Sequence, residues 1–280
     1  MRAAAIQLNS TADVERNIAT AERLVREAAA DGADLIVLPE KWPALGEADV
    51  LLDAAEPLDG PVASRVSALA RELGVDLVAG SISESRPGHE RLSNTSVHYG
   101  PDGEARGIYR KIHMFDVEVG GVQYRESATE EPGDEVVLSE LADGTGLGMT
   151  ICYDLRFPEL FRILALRGSR VFSLPSAFTK VTGMAHWEVL IRARAIENQA
   201  FVVAADQIGH HTPEKESFGG SMIVDPWGQV LARAEDQEGF VAADLDLGRL
   251  ESVRGSLPSL ANRVESAYRW PGVQTAGAHA

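Results

Sequence analysis

Apolar side chains at positions 3–8 predict a short opening strand, and Val14, Ile18, Ala21, Val25 and Ala28 then recur at helical spacing through residue 30. Asp13 stands where an N-cap side chain meets the free N–H groups of a first turn. The stretch DGADLIVLPE turns at a glycine and enters a continuous apolar run at 35–38, the mark of a strand covered on both faces. Residues 62–73 return to helical period, Gly74 interrupts, and VDLVAGSIS predicts the next strand. Helix and strand alternate, so a largely parallel or mixed α/β sheet is expected.

Further along, NTSVHYG and EARGIYR predict adjacent strands joined at Pro101-Asp102-Gly103. Residues 112–135 are rich in glycine and acids, lack periodicity and are expected to form a long loop, a type that compact domains keep for function. GLGMTICYD predicts a strand. The helix after it, in RFPELFRILALRGS, has Pro158 in its first turn and Gly168 at its C-terminal cap. VFSLPSAF and AFVVAADQIG predict strands on either side of a helix over 186–199. SMIVDPWGQVLARA reads as a hairpin and GFVAADLDL as a further strand. The small residues of 271–280 predict a frayed tail behind one domain spanning 1–270.

AAADGADLIVLPE at 28–40 and LALRGSRVFSLPS at 164–176 share one order: helix end, glycine, apolar strand, Leu-Pro. Their offset is 136 residues, as expected of two related half-sheets packed face to face with helices outside, a four-layer α-β-β-α sandwich; recurrence of helix–Gly–strand in any α/β protein would give the same match.

Composition narrows the functions. With 45% apolar residues the chain can bury a core, and its net charge of −16 opposes phosphate backbones and anionic headgroups. No Lys/Arg run supplies a local exception, so neither nucleic acid nor a membrane surface is an expected partner. A single cysteine excludes internal disulfides and multi-Cys metal sites. MRAAAIQLNS is too short an apolar run for a secretion signal, and no apolar stretch reaches the ~18 residues of a membrane span, so a cytoplasmic setting is expected.

Cys152 ends a strand in which Leu147, Met149 and Ile151 alternate with small residues, where open α/β sheets place their crevices. It is read either as core filler or as a nucleophile, and a thiol needs a base or cation beside it to act. None of the histidines, His89, His98, His113, His186, His210 and His211 among them, stands in a cysteine-protease setting. Glu40, at the equivalent end of another strand, and Lys111, after GIYR, qualify by placement. Taken singly, each also reads as an ordinary surface charge.

Together, LPE at Glu40, YRKIHMFD around Lys111 and GMTICYDLRFPEL around Cys152 resemble the three signatures of the nitrilase superfamily of carbon–nitrogen hydrolases, in order and at spacings of 71 and 41 residues. The likeness runs on through PSAFTKVTGMAHWEVLIRARAIENQ and GGSMIVDPWGQVLARA, nearly the whole chain. It implies the α-β-β-α sandwich, no cofactor and no metal. It also implies Glu40 as general base, Lys111 as cationic stabiliser, Cys152 as nucleophile and Glu126, in YRESATEEPGD, as the residue positioning Lys111. The oxyanion of the attacked amide would meet Lys111 and the Tyr153 backbone N–H.

VEVGGVQYRES, AFTKVTGMAHWEVLIRARAIENQ and His210-His211 look most like the amidase branch containing deaminated-glutathione amidase and ω-amidase, although GGVQY at 120–124 and ADQIGHH depart from that pattern. This resemblance implies a small carboxylate-bearing amide as substrate, with Phe178, Arg156, His186 and Lys180 as expected binding residues and Arg125 as a further candidate cation. A nitrile or N-carbamoyl amine hydrolase with the same triad is the alternative, and a non-catalytic scaffold is a third. A homodimer or larger homo-oligomer is expected from the family.

Overall fold

The computed structural model describes residues 1–268; the tail expected at 271–280 lies outside the described residues. The first sheet contains β1 (Arg2–Gln7), β2 (Leu35–Val37), β3 (Asp76–Val78), β4 (Ile82–Glu84), β5 (Ser93–Tyr99) and β6 (Ala105–Arg110). A hairpin of β7 (Asp116–Val119) and β8 (Val122–Arg125) follows. The second sheet begins with β9 (Leu138–Glu140), β10 (Gly146–Met149), β11 (Val171–Ser176) and β12 (Phe201–Asp206). After the small hairpin β13 (Ile208–His210) and β14 (Glu216–Phe218), it resumes with β15 (Met222–Val224) and β16 (Val230–Arg233). β17 (Gly239–Asp244) returns to the first sheet, antiparallel to β1. In each sheet three central strands are parallel, β1-β2-β3 and β10-β11-β12, and the antiparallel strands lie outside them.

The layering follows from side-chain alternation along the central strands. Ala4 and Ile6 of β1 face α1 (Val14–Ala30) and α3 (Pro61–Leu73), reached past the short α2 (Ala48–Asp53). Ala3 and Ala5 face the other way, against Phe201, Val203 and Ala205 of β12, forming the dry seam between sheets. Val202 and Ala204 face outward again, toward α4 (Pro158–Leu166) and α5 (Lys180–Asn198). Three apolar cores thus separate four layers, α-β-β-α, and α6 (Leu247–Ser256) adds Leu250 to the central seam. The small Ala3, Ala4 and Ala5 allow helix and facing sheet to approach β1 closely on both sides.

Residues 112–135, expected to be a loop, contain β7 and β8. Gly120 and Gly121, with φ of 61° and 80°, make the two-residue turn whose positive φ values suit the twist of a hairpin. VDLVAGSIS is two strands, because Gly80 with φ of 58° breaks the run between β3 and β4. α5 starts at Lys180, six residues before the expected 186. The 136-residue repeat has a structural counterpart: β2 and β11 are each the middle of three parallel strands. At their ends Glu40 N–H donates to the carbonyl of its equivalent, Ser176, at 3.3 Å.

Gly80 abuts the segment carrying Glu40. A Cβ there would collide with the Pro39 carbonyl and come within 2.8 Å of the Trp42 ring, on a backbone that already disfavours side chains. Gly80→Ala is expected to destabilise the fold by about 2–4 kcal/mol, measured by chemical denaturation.

Candidate active site

Four chain segments that are remote in sequence end at one place. Glu40 leaves β2 after Pro39, Lys111 follows β6, Glu126 follows β8, and Cys152 follows β10. Lys111 Nζ donates to Glu40 Oε1 at 2.9 Å and to both Glu126 oxygens at 2.9 and 2.8 Å. Asn94 Nδ2 donates to Glu40 Oε1 at 2.8 Å, and the Ala177 N–H donates to Oε2 at 2.9 Å. The Cys152 thiol lies near enough to the Glu40 carboxylate for that charge to raise its pKa. The four expected catalytic side chains therefore converge.

The backbone presents the sulfur. Ile151 is extended, and Cys152 then takes φ of 46°, a left-handed conformation that non-glycine residues seldom adopt, before a 3₁₀ turn over Cys152–Arg156. The first N–H groups of such a turn have no partner within it, and among the described residues the Tyr153 N–H has none. Asp154, fully buried, pins the turn by accepting from Ile151 N–H at 2.8 Å, Tyr109 Oη at 2.6 Å and His113 Nδ1 at 2.7 Å. His113 is itself stacked on Phe157, with ring centroids 3.5 Å apart.

Electrostatics set the resting protonation. Burial and the neighbouring Glu40 charge hold the Cys152 thiol well above its ordinary range, against the pull of Lys111, so the sulfur rests protonated. Burial alone would strip Lys111 of its proton, but Glu126 and Glu40 outweigh it and keep the ammonium charged. Glu126 is driven far below the usual carboxylate range despite its burial, by Lys111, Lys41 and the Phe115 N–H, which donates to Oε2 at 2.8 Å. Asp206 is pushed well up by burial and by Glu40, while its oxygens accept from Phe178 and Gly219 N–H groups at 2.8 and 3.1 Å and fix the wall carrying Phe178.

A cleft of about 320 Å³ opens over Cys152. Phe178 and Arg156 line it, as expected, and so does Arg125. The Arg156 guanidinium lies 5.1 Å from the Phe178 ring centre and 5.9 Å from that of Tyr153, and it has no carboxylate partner among the described residues. Lys180 and His186 are not brought to the cleft. Both lie on the outer face of α5, where Lys180 pairs with Glu216 at 2.8 Å and His186 Nδ1 lies 3.3 Å from Arg156. The buried positions of α5 are 183, 187, 191, 194, 195 and 198; Lys180 stands exposed in its first turn and His186 on its exposed side.

Sequence reasoning passed over Asn94, Lys41, Glu130 and Asp154, and took His211 only as part of the His210-His211 likeness. His211 is held neutral, its pKa lowered by burial to about 4, with Nδ1 donating to the Ser10 carbonyl at 2.8 Å and Nε2 accepting from Ser217 Oγ at 2.8 Å. Asp154 alone had a local signal, standing two residues beyond the cysteine at a turn. Among the described residues no group of three or more His, Cys, Asp or Glu side chains is placed to hold a metal ion.

This arrangement agrees with the comparisons. The carbon-nitrogen hydrolase family model matches residues 2–255. The chain belongs to that family. The carbon–nitrogen hydrolase is similar to a curated Bos taurus protein named deaminated glutathione amidase, 40% identical over 270 residues, 95% of this chain and 82% of the relative. It is 38% identical to Pongo abelii omega-amidase NIT2 over 268 residues, 95% and 96% of the two chains. The solved structure of Saccharomyces cerevisiae Nit3, a member of branch 10 of the nitrilase superfamily, matches with a TM-score of 0.86 at 30% identity, covering 96% of this chain and 97% of that one.

In this hydrolase Asp154→Asn replaces one acceptor by an N–H donor among three donors. It is expected to destabilise by about 1–3 kcal/mol, and to slow Cys152 alkylation by iodoacetamide as the turn loosens. A denaturation series and mass spectrometry of the single-cysteine chain measure the two effects.

Proposed function

We propose that this hydrolase cleaves the amide of a small carboxylate-bearing molecule through a Cys152 thioester, releasing ammonia or an amine and then the acid. The carrying observation is the convergence of Lys111 and the Cys152 thiol on one buried carboxylate, Glu40, at the floor of a cleft. The names of the amidase relatives support the same reading.

Glu40 takes the thiol proton as sulfur attacks the amide carbon, because a thiol held neutral by burial needs its base at the moment of attack. Negative charge then grows on the carbonyl oxygen and is met by Lys111 and the Tyr153 N–H, already fixed in place and shielded from water. Protonated Glu40 returns its proton to the leaving nitrogen, leaving a thioester. The same carboxylate activates the water that hydrolyses it. Glu126 keeps Lys111 aimed at the oxyanion. Arg156, backed by two aromatic rings and free of carboxylate partners, suits the substrate's carboxylate in a bidentate fork.

We further assign a homodimer to the exposed face of α5. Val181, Met184, Val189 and Ile196 lie on its outward arc and are 48–68% exposed, an apolar patch of the kind that marks an interface. No described helix is long and apolar enough to cross a membrane, and a reduced lone cysteine suits the cytoplasm.

Ammonia released from a panel of small dicarboxylic monoamides, with matched nitriles and N-carbamoyl amines, tests the chemistry. Amides are expected to turn over, Cys152→Ala to be inactive, and Glu40→Gln to lose about 10²–10⁴-fold in kcat. Preference for nitriles or carbamoyl amines, or wild-type turnover in Glu40→Gln, would overturn this reading. Light scattering should give a dimer that Met184→Glu with Val189→Glu dissociates.

A further inference from the structure

Beside the Glu40, Lys111 and Glu126 cluster lies a second buried contact, Lys41 with Glu130, that the reaction does not use. Lys41 has φ of 50°, a left-handed backbone that a lysine adopts only under constraint. In a continuing strand, residues 40 and 41 would point to opposite faces. The left-handed residue instead lets Glu40 and Lys41 enter the same pocket. Lys41 Nζ lies 3.0 Å from Glu126 Oε1, the oxygen that Lys111 also holds, and 2.6 Å from Glu130 Oε1. Glu130 is fully buried, four residues beyond Glu126, and its N–H donates to the Glu126 carbonyl at 2.9 Å. Despite the close ammonium, neither of its carboxyl oxygens has a well-aligned hydrogen bond.

We propose that Lys41 and Glu130 are positioning residues, clamping Glu126 onto Lys111 and setting how readily Cys152 is activated as pH rises. Counting charges shows why. Three carboxylates, Glu40, Glu126 and Glu130, face two ammonium groups, Lys41 and Lys111, so the buried cluster is neutral only when one carboxyl holds a proton. Glu130 is the one that keeps it, because burial, reinforced by Glu126 and opposed by Lys41 and Lys111, pushes its carboxyl up to about 8. The groups facing it are Glu126 from its own segment, Lys41 and then Glu40 from the end of β2, and Lys111 from the end of β6. Arg91, before β5, reaches its carbonyl oxygen at 3.5 Å. Above pH 8 an ionised Glu130 competes with Glu126 for Lys41 and adds negative charge beside Lys111, which opposes formation of the thiolate.

The role rests on the amidase reading, but its test does not need a substrate. The rate of Cys152 alkylation by iodoacetamide, followed by mass change of the whole chain from pH 6 to 9.5, reports activation of the only cysteine. Glu130→Gln, which keeps shape but cannot ionise, is expected to match wild type within twofold at pH 7 and to exceed it by about tenfold at pH 9, one pKa unit of relief. Lys41→Met is expected to slow alkylation about tenfold at pH 7 and, with an amide that turns over, to lower kcat with KM within twofold. A structural ion pair alone would lower both variants in parallel at every pH. A constant ratio of Glu130→Gln to wild type across the range would overturn the proposal, as would a folded Lys41→Met with the wild-type rate and pH profile. If Lys41→Met fails to fold, the Glu130→Gln ratio decides alone. Failure to release ammonia from any amide would sink the amidase reading and leave the alkylation result standing.

Discussion

The structure depends on keeping one ammonium charged where almost no water reaches it. Lys111 is 1% exposed, and moving an ion of that size out of water costs several kcal/mol even after relaxation. Glu40 and Glu126 offset that cost only because three of the four oxygens they offer are aligned within 2.9 Å of Nζ. The anions must be buried too, so each needs its own donors: Asn94 and Ala177 for Glu40, Phe115 and Lys41 for Glu126. Each donor comes from a different segment. The charge cluster can therefore exist only when both sheets and the β7-β8 hairpin are all in place, and folding and site assembly become one event.

Backbone geometry is bent to the same end. Among the described residues three non-glycine positions have positive φ: Lys41, Cys152 and Gln199. Gln199 caps the end of α5, a usual place for a left-handed residue. The other two flank the site, one turning a lysine inward beside the base and the other lifting the sulfur off its strand. Such conformations cost of order 1–3 kcal/mol each and persist where the surroundings over-determine them. Asp154 with its three donors does this for Cys152, and the two carboxylates on Lys41 Nζ do it for Lys41.

The layers were legible because burial on two faces leaves an unbroken apolar run, as at 35–37, and burial on one face leaves helical period. Cys152 and Glu40 were legible as strand ends, and the resemblance joined them to Lys111 and Glu126. What stayed hidden was of two kinds. The β7-β8 hairpin is only four residues a side, and its alternation of Val117, Val119, Val122 and Tyr124 with acids and glycines was lost in the composition of the surrounding segment. Asn94, Lys41 and Glu130 were hidden more deeply, since a buried charge and a surface charge are the same letter, and only the partner brought from elsewhere in the chain distinguishes them. Lys180 and His186 fail in the reverse direction: they are chemically suitable, but Lys180 pairs with Glu216 at the exposed start of α5 and His186 stands on the exposed side of the helix.

Because the cleft wall carries charges of both signs on an acidic body, range decides which charge a ligand feels. The chain carries −16 overall, yet Arg125 and Arg156 line the cleft without carboxylate partners among the described residues. At physiological ionic strength the Debye length is about 8 Å, so exposed acids on remote surfaces are largely screened from an anion at the cleft mouth. Inside, screening falls away and the nearby guanidinium dominates. Attraction then acts late in the encounter, once an anion has entered the cleft. The overall charge repels polyanions too large to enter, and the cleft admits a small one; discrimination between them comes from where the charges sit.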